Sequence, residues 1–181
     1  MIKEEHSQLS LTKTAADMLN DAVSKVYGFA LRYSDISKHG VGDIFIVTVD
    51  ALPNTRMQSE YRNAFRDPAF GNIGTNFEDQ NYILDVSAER ILVVGKGERG
   101  AFFGVQTLIQ LLQQKEGDRI VGSRIMDYPS RGVRAIHMYN SPPKDEFQRR
   151  IRHFAHLKYT HMVLEANYFY RGSWTYDVNT G

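Results

Sequence analysis

Two polar side chains directly follow an apolar segment near the end of the sequence. The run His161–Leu164 is predicted to form a β-strand, and Glu165 and Asn167 come immediately after it. In α/β folds, side chains that bind or transform a ligand stand at the C-terminal ends of parallel strands. Glu165 and Asn167 are therefore candidate substrate-binding residues by position, and solvated loop residues are the alternative.

A group of aromatic residues occupies the next predicted loop. Aromatic rings commonly stack on the faces of sugar rings, and packing against other parts of a fold explains such a group about equally well. The members of the group are Tyr168, Phe169, Tyr170, Trp174 and Tyr176.

Other groups that could do chemistry have simpler structural explanations. The acidic pair Asp145-Glu146 opens a predicted helix, and Glu4-Glu5 lies in a polar terminus, so the helix dipole and solvation account for them. His153 and His156 share a helix but lack the Glu of the HExxH zinc motif, and the sequence has no cysteine. We therefore predict no metal and no other cofactor.

Residues 95–100 spell the glycine pattern GxGxxG of dinucleotide-binding loops. That function requires a unit of two parallel strands with a helix between them, and an acidic residue that closes the second strand. Here a predicted antiparallel hairpin precedes the glycines. The pattern therefore favours a tight turn followed by a helix that packs on a sheet.

The elements before residue 128 predict an α+β domain. Apolar residues at helical spacing predict helices over residues 12–27 and 99–114, the first capped by Thr14 and Asp17 and ended by Gly28. Residues 52–79 are predicted to be irregular, with a helical turn near 58–65. Strands are predicted at residues 29–33, 44–49, 81–86, 91–94 and 120–126. We expect a mostly antiparallel sheet with the two helices on one face.

A second unit is predicted after Tyr128-Pro129. Residues 131–138 and 161–164 are predicted strands, and residues 144–157 are a predicted helix between them. A crossover of this length joins parallel strands. The sequence therefore predicts two domains, at residues 1–128 and 129–181.

The composition excludes several classes of function. The 181 residues carry 22 basic and 21 acidic side chains, so the net charge of +1 does not favour nucleic acid or an anionic membrane as a partner. No apolar run approaches the roughly 20 residues of a membrane span. The first 13 residues are too polar for a signal peptide. Without cysteine, the sequence leaves the redox compartment undetermined.

One continuous stretch, residues 81–134, resembles the accessory domain that precedes the catalytic barrel in β-N-acetylhexosaminidases of glycoside hydrolase families 20 and 84. The resemblance rests on the second hairpin strand with its turn (residues 90–96), on the helix sequence ERGAFFGVQTL at residues 98–108, and on Asp127-Tyr128-Pro129 followed by Arg131-Gly132. It implies that the strands after residue 130 open a (β/α)8 barrel.

The resemblance also implies an activity. Such hexosaminidases release terminal N-acetylated amino sugars with retention, and the acetamido oxygen of the substrate is the nucleophile. Two adjacent carboxyl groups assist, an Asp-Glu pair in family 20 and an Asp-Asp pair in family 84, both on the fourth barrel strand. A complete barrel needs about 250 residues, so we expect this chain to be the non-catalytic N-terminal portion of such an enzyme, which would often be exported.

Arg131 is the residue to which the resemblance gives a role. In family 20, the arginine of the Arg-Gly pair that opens the first barrel strand binds sugar hydroxyls through its planar donor fork. The neighbouring pattern departs from that family, because Ile136 and Tyr139-Asn140 stand where it has Asp and Arg-His. A structural salt bridge at the domain junction is the alternative for Arg131.

Two other functions remain open. The domain could serve as a purely structural or carbohydrate-binding module, and α-glucuronidases carry a similar domain before their barrel. Because the predicted barrel strands lack most of their partners, we also expect residues 131–181 to self-associate or to be poorly ordered.

Overall fold

The computed structural model describes residues 2–4, 10–35, 40–114, 120–139 and 142–165, with backbone alone at residues 2–4 and 35. The chain divides into two compact units, Met1–Gly132 and Val133–Gly181. The strands of the first unit are β1 Ile2–Glu4, β2 Tyr33–Asp35, β3 Asp43–Thr48, β4 Tyr82–Val86, β5 Arg90–Gly95 and β6 Ser123–Asp127. Its helices are α1 Leu11–Tyr27, α2 Thr55–Ala64 and α3 Glu98–Gln113, with short 3-10 turns at Val49–Ala51 and Glu78–Gln80.

The six described strands of the first unit form one mixed sheet in the order β2-β1-β3-β5-β4-β6. The pairings of β1 with β2, β1 with β3, and β3 with β5 are parallel, whereas β4 pairs antiparallel with β5 and β6. The α+β prediction is confirmed, but the expectation of a mostly antiparallel sheet is wrong. The cause is β1, which lies between β2 and β3 and was not predicted because three residues carry no periodic signal.

Helix α1 follows its predicted apolar stripe and ends where expected. Gly28 adopts φ of 77°, a left-handed conformation that costs glycine little, and its N–H donates to the Ser24 carbonyl. The N-terminal cap is Ser10, whose hydroxyl accepts from the Lys13 amide at 3.2 Å. The predicted cap at Thr14 is therefore wrong, because the helix begins one turn earlier.

Helices α1 and α3 pack against each other and on one face of the sheet. Gly104 brings α3 close to the strands, since an added Cβ there would lie 2.6 Å from Val93 Cγ1. The absence of a side chain at position 104 therefore lets α3 pack directly against β5.

The opposite face of the sheet is also covered, which the sequence did not predict. The segment predicted to be irregular contains the complete helix α2, capped by the Asn54 side chain. A buried cluster joins α2 and the following loop to β3, β4 and β5, so the core has two layers, one on each face of the sheet. The cluster consists of Phe45, Val47, Val49, Leu52, Tyr61, Phe65, Phe70, Ile83, Leu92 and Val94.

The second unit contains β7 Ala135–Met138, α4 Lys144–His156 and β8 His161–Leu164. The two strands are parallel, with Ala135 opposite His161 and Met138 opposite Leu164. The predicted parallel strand, helix, strand arrangement is confirmed. The units divide after Gly132, whereas the sequence places the domain boundary near Tyr128.

Candidate functional site

The segment that carries Arg131 leaves strand β6 and begins with a buried hydrogen-bond network. The Tyr82 hydroxyl donates to Asp127 Oδ2 at 2.6 Å and lies 2.5 Å from Thr107 Oγ1 on α3. Burial, and next the hydrogen bond to Asp127, raise the pKa of Tyr82 far above its usual range, so its hydroxyl keeps the proton it donates. The Tyr82 hydroxyl on β4 therefore contacts both α3, at Thr107, and β6, at Asp127 of the Asp-Tyr-Pro sequence.

Tyr128 continues the contact with the first unit. Its ring packs edge-on against Phe70, with centroids 6.1 Å apart. An added Cβ at Gly71 would lie 2.6 Å from the Tyr128 hydroxyl oxygen. Glycine at position 71 therefore leaves the space that the Tyr128 hydroxyl occupies.

Arg131 follows this contact in the sequence, and the next residue, Gly132, again contacts the first unit. The Gln80 side chain is 1% exposed, and its Nε2 donates to the Gly132 carbonyl at 3.0 Å. An added Cβ at Gly132 would lie 2.7 Å from Phe77 ring atoms. Arg131 itself is exposed on the first unit.

Glu165 follows β8 as predicted, at the C-terminal edge of the two parallel strands. Its amide donates to the Met138 carbonyl at 3.0 Å, which extends the strand pairing by one residue. Its Oε2 lies 3.9 Å from Nε2 of His137 on β7, and the rings of His137 and Tyr139 are 4.5 Å apart. The structure therefore places a carboxylate, an imidazole and a phenol at one strand edge, an arrangement able to bind polar groups.

Sequence reasoning did not single out His137. The available signal was its position near the end of the first predicted strand of a parallel pair. Because parallel strands end at the same edge of a sheet, that position places His137 beside Glu165. The other predicted residue, Asn167, and the aromatic group of residues 168–176 lie outside the described residues.

The acidic pair Asp145-Glu146 lies in the first turn of α4, as predicted. Hydrogen bonds from Arg150 and next from Arg149 lower the pKa of Glu146. Glu146 is therefore an ionised partner in surface ion pairs and is unsuited to donate a proton near neutral pH. The side chains of Glu4-Glu5 lie outside the described residues.

A further acidic pair, Glu78-Asp79, was overlooked in the sequence. Glu78 Oε2 lies 2.7 Å from Lys96 Nζ, and hydrogen bonds from Lys96 and then from the Gly74 amide lower its pKa. Asp79 Oδ2 lies 3.3 Å from Arg99 Nε. Both carboxylates have cationic partners beside the start of α3, which indicates a structural role for the pair.

The glycines of residues 95–100 serve close backbone packing. An added Cβ at Gly95 would lie 2.2 Å from the Ala101 amide nitrogen, and one at Gly100 would lie 2.0 Å from the Asn81 carbonyl oxygen. The strands on either side of α3, β5 and β6, are separated in the sheet by β4. The prediction of a tight turn followed by a packing helix is confirmed.

A groove of about 270 Å³ opens on the first unit away from these residues. Its lining is almost wholly apolar and includes Val23, Tyr27, Phe29, Ile44 and Leu112, with Ser87 as a polar member. Sugar sites need convergent hydrogen-bonding groups, so this groove does not favour a carbohydrate-binding module.

Within the described ranges, no three His, Asp or Glu side chains are grouped to hold a metal. Among the described helices, none has the length and apolarity to cross a membrane.

Three features define an accessory domain of glycoside hydrolases. They are the α+β unit with a core on each face of its sheet, the glycine turn before α3, and the Asp-Tyr-Pro sequence that ends the unit. The chain belongs to the family described as glycosyl hydrolase family 20, domain 2, whose model matches residues 4–128. This confirms the resemblance found in the sequence. No curated protein matches the chain.

Solved structures of larger enzymes share the fold. CpGH84D is 18% identical with a TM-score of 0.65, and the match covers 91% of this chain and 27% of that one. A mutant Streptomyces plicatus β-hexosaminidase in complex with its product GlcNAc is 21% identical with a TM-score of 0.60, covering 90% and 30%. BtGH115A, a 4-O-methyl-α-glucuronidase with specificity for decorated arabinogalactans, is 15% identical with a TM-score of 0.58, covering 90% and 24%. The chain thus spans less than a third of each of these structures.

Proposed function

We propose that this chain is the non-catalytic N-terminal part of a retaining exo-β-N-acetylhexosaminidase that uses substrate-assisted catalysis. The observation that carries the proposal is the family 20 match over residues 4–128, which is followed three positions later by the Arg131-Gly132 pair. The first unit is the accessory domain of the enzyme in this proposal. Its substrate is a carbohydrate that ends in an N-acetylated amino sugar.

The second unit is, in this proposal, the opening of a (β/α)8 barrel. Two observations support it. The strands β7 and β8 are parallel and joined by a helix, which is the repeating unit of such a barrel. The structural likeness to the larger structure of CpGH84D covers 91% of the chain, so it extends beyond residue 128, where the family match ends.

The chemistry divides between this chain and later barrel strands. In substrate-assisted hydrolysis the acetamido oxygen attacks the anomeric carbon, the glycosidic oxygen leaves with a proton from a carboxylic acid, and water opens the resulting cyclic intermediate. The carboxyl pair belongs to the fourth barrel strand in the family. Arg131 contributes a planar guanidinium that donates to sugar hydroxyls. Glu165 contributes a carboxylate at the end of β8, and Asn167, which follows it in the sequence, contributes a carboxamide.

The test uses the complete gene product and chromogenic substrates. We expect release of nitrophenol from the β-N-acetylglucosaminide, and none from the matched β-glucoside, because a 2-hydroxyl cannot replace the acetamido nucleophile. Proton NMR should show the β-anomer of the sugar first, since two displacements retain configuration. Equal turnover of the glucoside, or inversion, would contradict the proposal.

Arg131→Ala tests the binding role in the same enzyme. Losing hydrogen bonds from a charged donor costs about 1.5–3 kcal/mol, so we expect kcat/KM to fall by about one to two orders of magnitude, mainly through a higher KM. The melting temperature should stay unchanged. Unaltered kinetics with a lower melting temperature would instead assign Arg131 to a structural salt bridge.

An α-glucuronidase is the second candidate. It is favoured by the likeness to BtGH115A and by Ile136 and Tyr139-Asn140, which depart from the family 20 pattern. Turnover of an α-glucuronide with no turnover of the N-acetylglucosaminide would establish it in place of the first proposal.

A further inference from the structure

We propose that Gln80, together with Phe77, positions Arg131 by anchoring the backbone of the Arg131-Gly132 pair to the accessory domain. The substrate-binding part of this inference rests on the proposed function of Arg131. The anchoring part rests on contacts within the first unit alone.

Gln80 is itself firmly placed. It ends the 3-10 turn Glu78–Gln80, and its amide donates to the Phe77 carbonyl at 3.1 Å. The flanking residues are tied to the start of α3, because the Gly97 amide donates to the Asp79 carbonyl at 3.1 Å and the Lys96 amide to the Asn81 carbonyl at 2.9 Å. The backbone of Gln80 is therefore fixed by its connection to the loop between β5 and α3, and this fixes the position of its buried carboxamide.

The contacts of this turn reach the residue that follows Arg131. Gln80 Nε2 donates to the Gly132 carbonyl, and the Phe77 ring fills the space that a side chain at position 132 would need. Glycine is required here by the close approach of Phe77. Any larger residue would displace either the Phe77 side chain or the Arg131-Gly132 peptide.

Arg131 is thus held on both sides. Tyr128 packs on Phe70 and Gly71 three residues before it, and Gly132 is fixed directly after it. Its own side chain is exposed. An arginine that binds sugar hydroxyls through several donors binds more tightly when its backbone is already fixed, because less conformational entropy is lost on binding.

The anchoring can be measured on the 181-residue chain by limited proteolysis, because trypsin cleaves after arginine. We expect Gln80→Leu to raise the rate of cleavage after Arg131 about tenfold, the factor that corresponds to one buried hydrogen bond. Mass spectrometry identifies the cleaved bond. Gln106→Leu is the matched control, since Gln106 is 0% exposed and its amide contacts Met18 on α1. It should destabilise the unit without accelerating this cleavage, and equal acceleration in both variants would overturn the anchoring.

The positioning role is measured in the complete gene product as the KM for the N-acetylglucosaminide. Gln80→Leu should raise KM several-fold, by less than Arg131→Ala, and Gln106→Leu should leave it unchanged. In the Arg131→Ala background, Gln80→Leu should have no further effect on KM, because it acts through the arginine.

The outcomes separate the two proposals. If Arg131→Ala raises KM and Gln80→Leu does not, or if the two effects multiply, the positioning role is wrong while the proposed function stands. If Arg131→Ala leaves KM unchanged, the proposed role of Arg131 fails and the positioning role fails with it. Faster cleavage in Gln80→Leu would still establish the anchoring in that case.

Discussion

Replacing Gly104 by alanine sets two physical effects against each other. Gly104 lies inside α3 where the helix crosses β4 and β5, and an added Cβ would lie 2.6 Å from Val93 Cγ1 and 3.0 Å from Tyr82 Cδ2. Carbon atoms in good contact are about 3.5–4.0 Å apart. The new methyl group is therefore about 1 Å too close to Val93.

The neighbours have little room to yield. Val93 is 0% exposed and Tyr82 is 2% exposed, and the Tyr82 hydroxyl is bonded to Asp127. Overpacking of such a core costs about 1–3 kcal/mol, whereas alanine in place of glycine favours the helix by about 1 kcal/mol. We expect Gly104→Ala to lower the free energy of unfolding by about 1 kcal/mol, and by at most about 2 kcal/mol.

Thermal and urea denaturation followed by circular dichroism measure this change, and a loss of about 1 kcal/mol lowers the melting temperature by roughly 3 °C. The control is Val93→Ala, which removes the obstructing Cγ1. In that background Gly104→Ala should cost less or become stabilising, so the two substitutions should couple. If Gly104→Ala stabilises the unmodified chain as much as it stabilises Val93→Ala, helix propensity alone governs this position and α3 is not pressed against the sheet.

Three other outcomes are expected. Folding lowers the pKa of Glu78 from 4.5, so the ion pair with Lys96 stabilises the fold above that pH, and this stability is lost on acidification. Glu78→Gln should therefore show a smaller acid-induced drop in the free energy of unfolding than the unmodified chain. A drop equal to that of the unmodified chain would refute this. The 181-residue chain should release no nitrophenol from β-N-acetylhexosaminides, and turnover that survives repurification and Glu165→Ala would overturn that expectation. The exposed Val163 and Leu164 on β8 should make the chain self-associate or leave residues 131–181 poorly protected from hydrogen exchange; a monomer with strong protection there would contradict us.

Local signals in the sequence predicted several elements almost to the residue. Helix α1 was expected at 12–27 and spans Leu11–Tyr27, because an apolar stripe and the stop at Gly28 define it locally. The hairpin of β4 and β5 was predicted for a similar reason, since alternation and a short turn are visible within 15 residues.

Features that depend on distant partners were not predictable in this way. Strand β1 has three residues and takes its place from its pairing with β2 and β3. Phe70 is 1% exposed in an irregular segment, where burial leaves no periodic pattern. The contact of Gln80 with Gly132 joins residues 52 positions apart. For the same reason, the sequence could propose Arg131 through a family resemblance but could not show what holds its backbone.

The contacts of Gly132 bear on how such domains can be exchanged between enzymes. The family match ends at residue 128, yet the compact first unit extends to Gly132 because Phe77 and Gln80 contact the last residue. A new catalytic domain joined directly after residue 128 would have to provide its own glycine at position 132. It would also have to place a backbone carbonyl where Gln80 can donate to it. A junction after Gly132 carries both with it. Such an exchange would transfer the Arg131-Gly132 pair together with the accessory domain, and with it the sugar-binding residue that we propose.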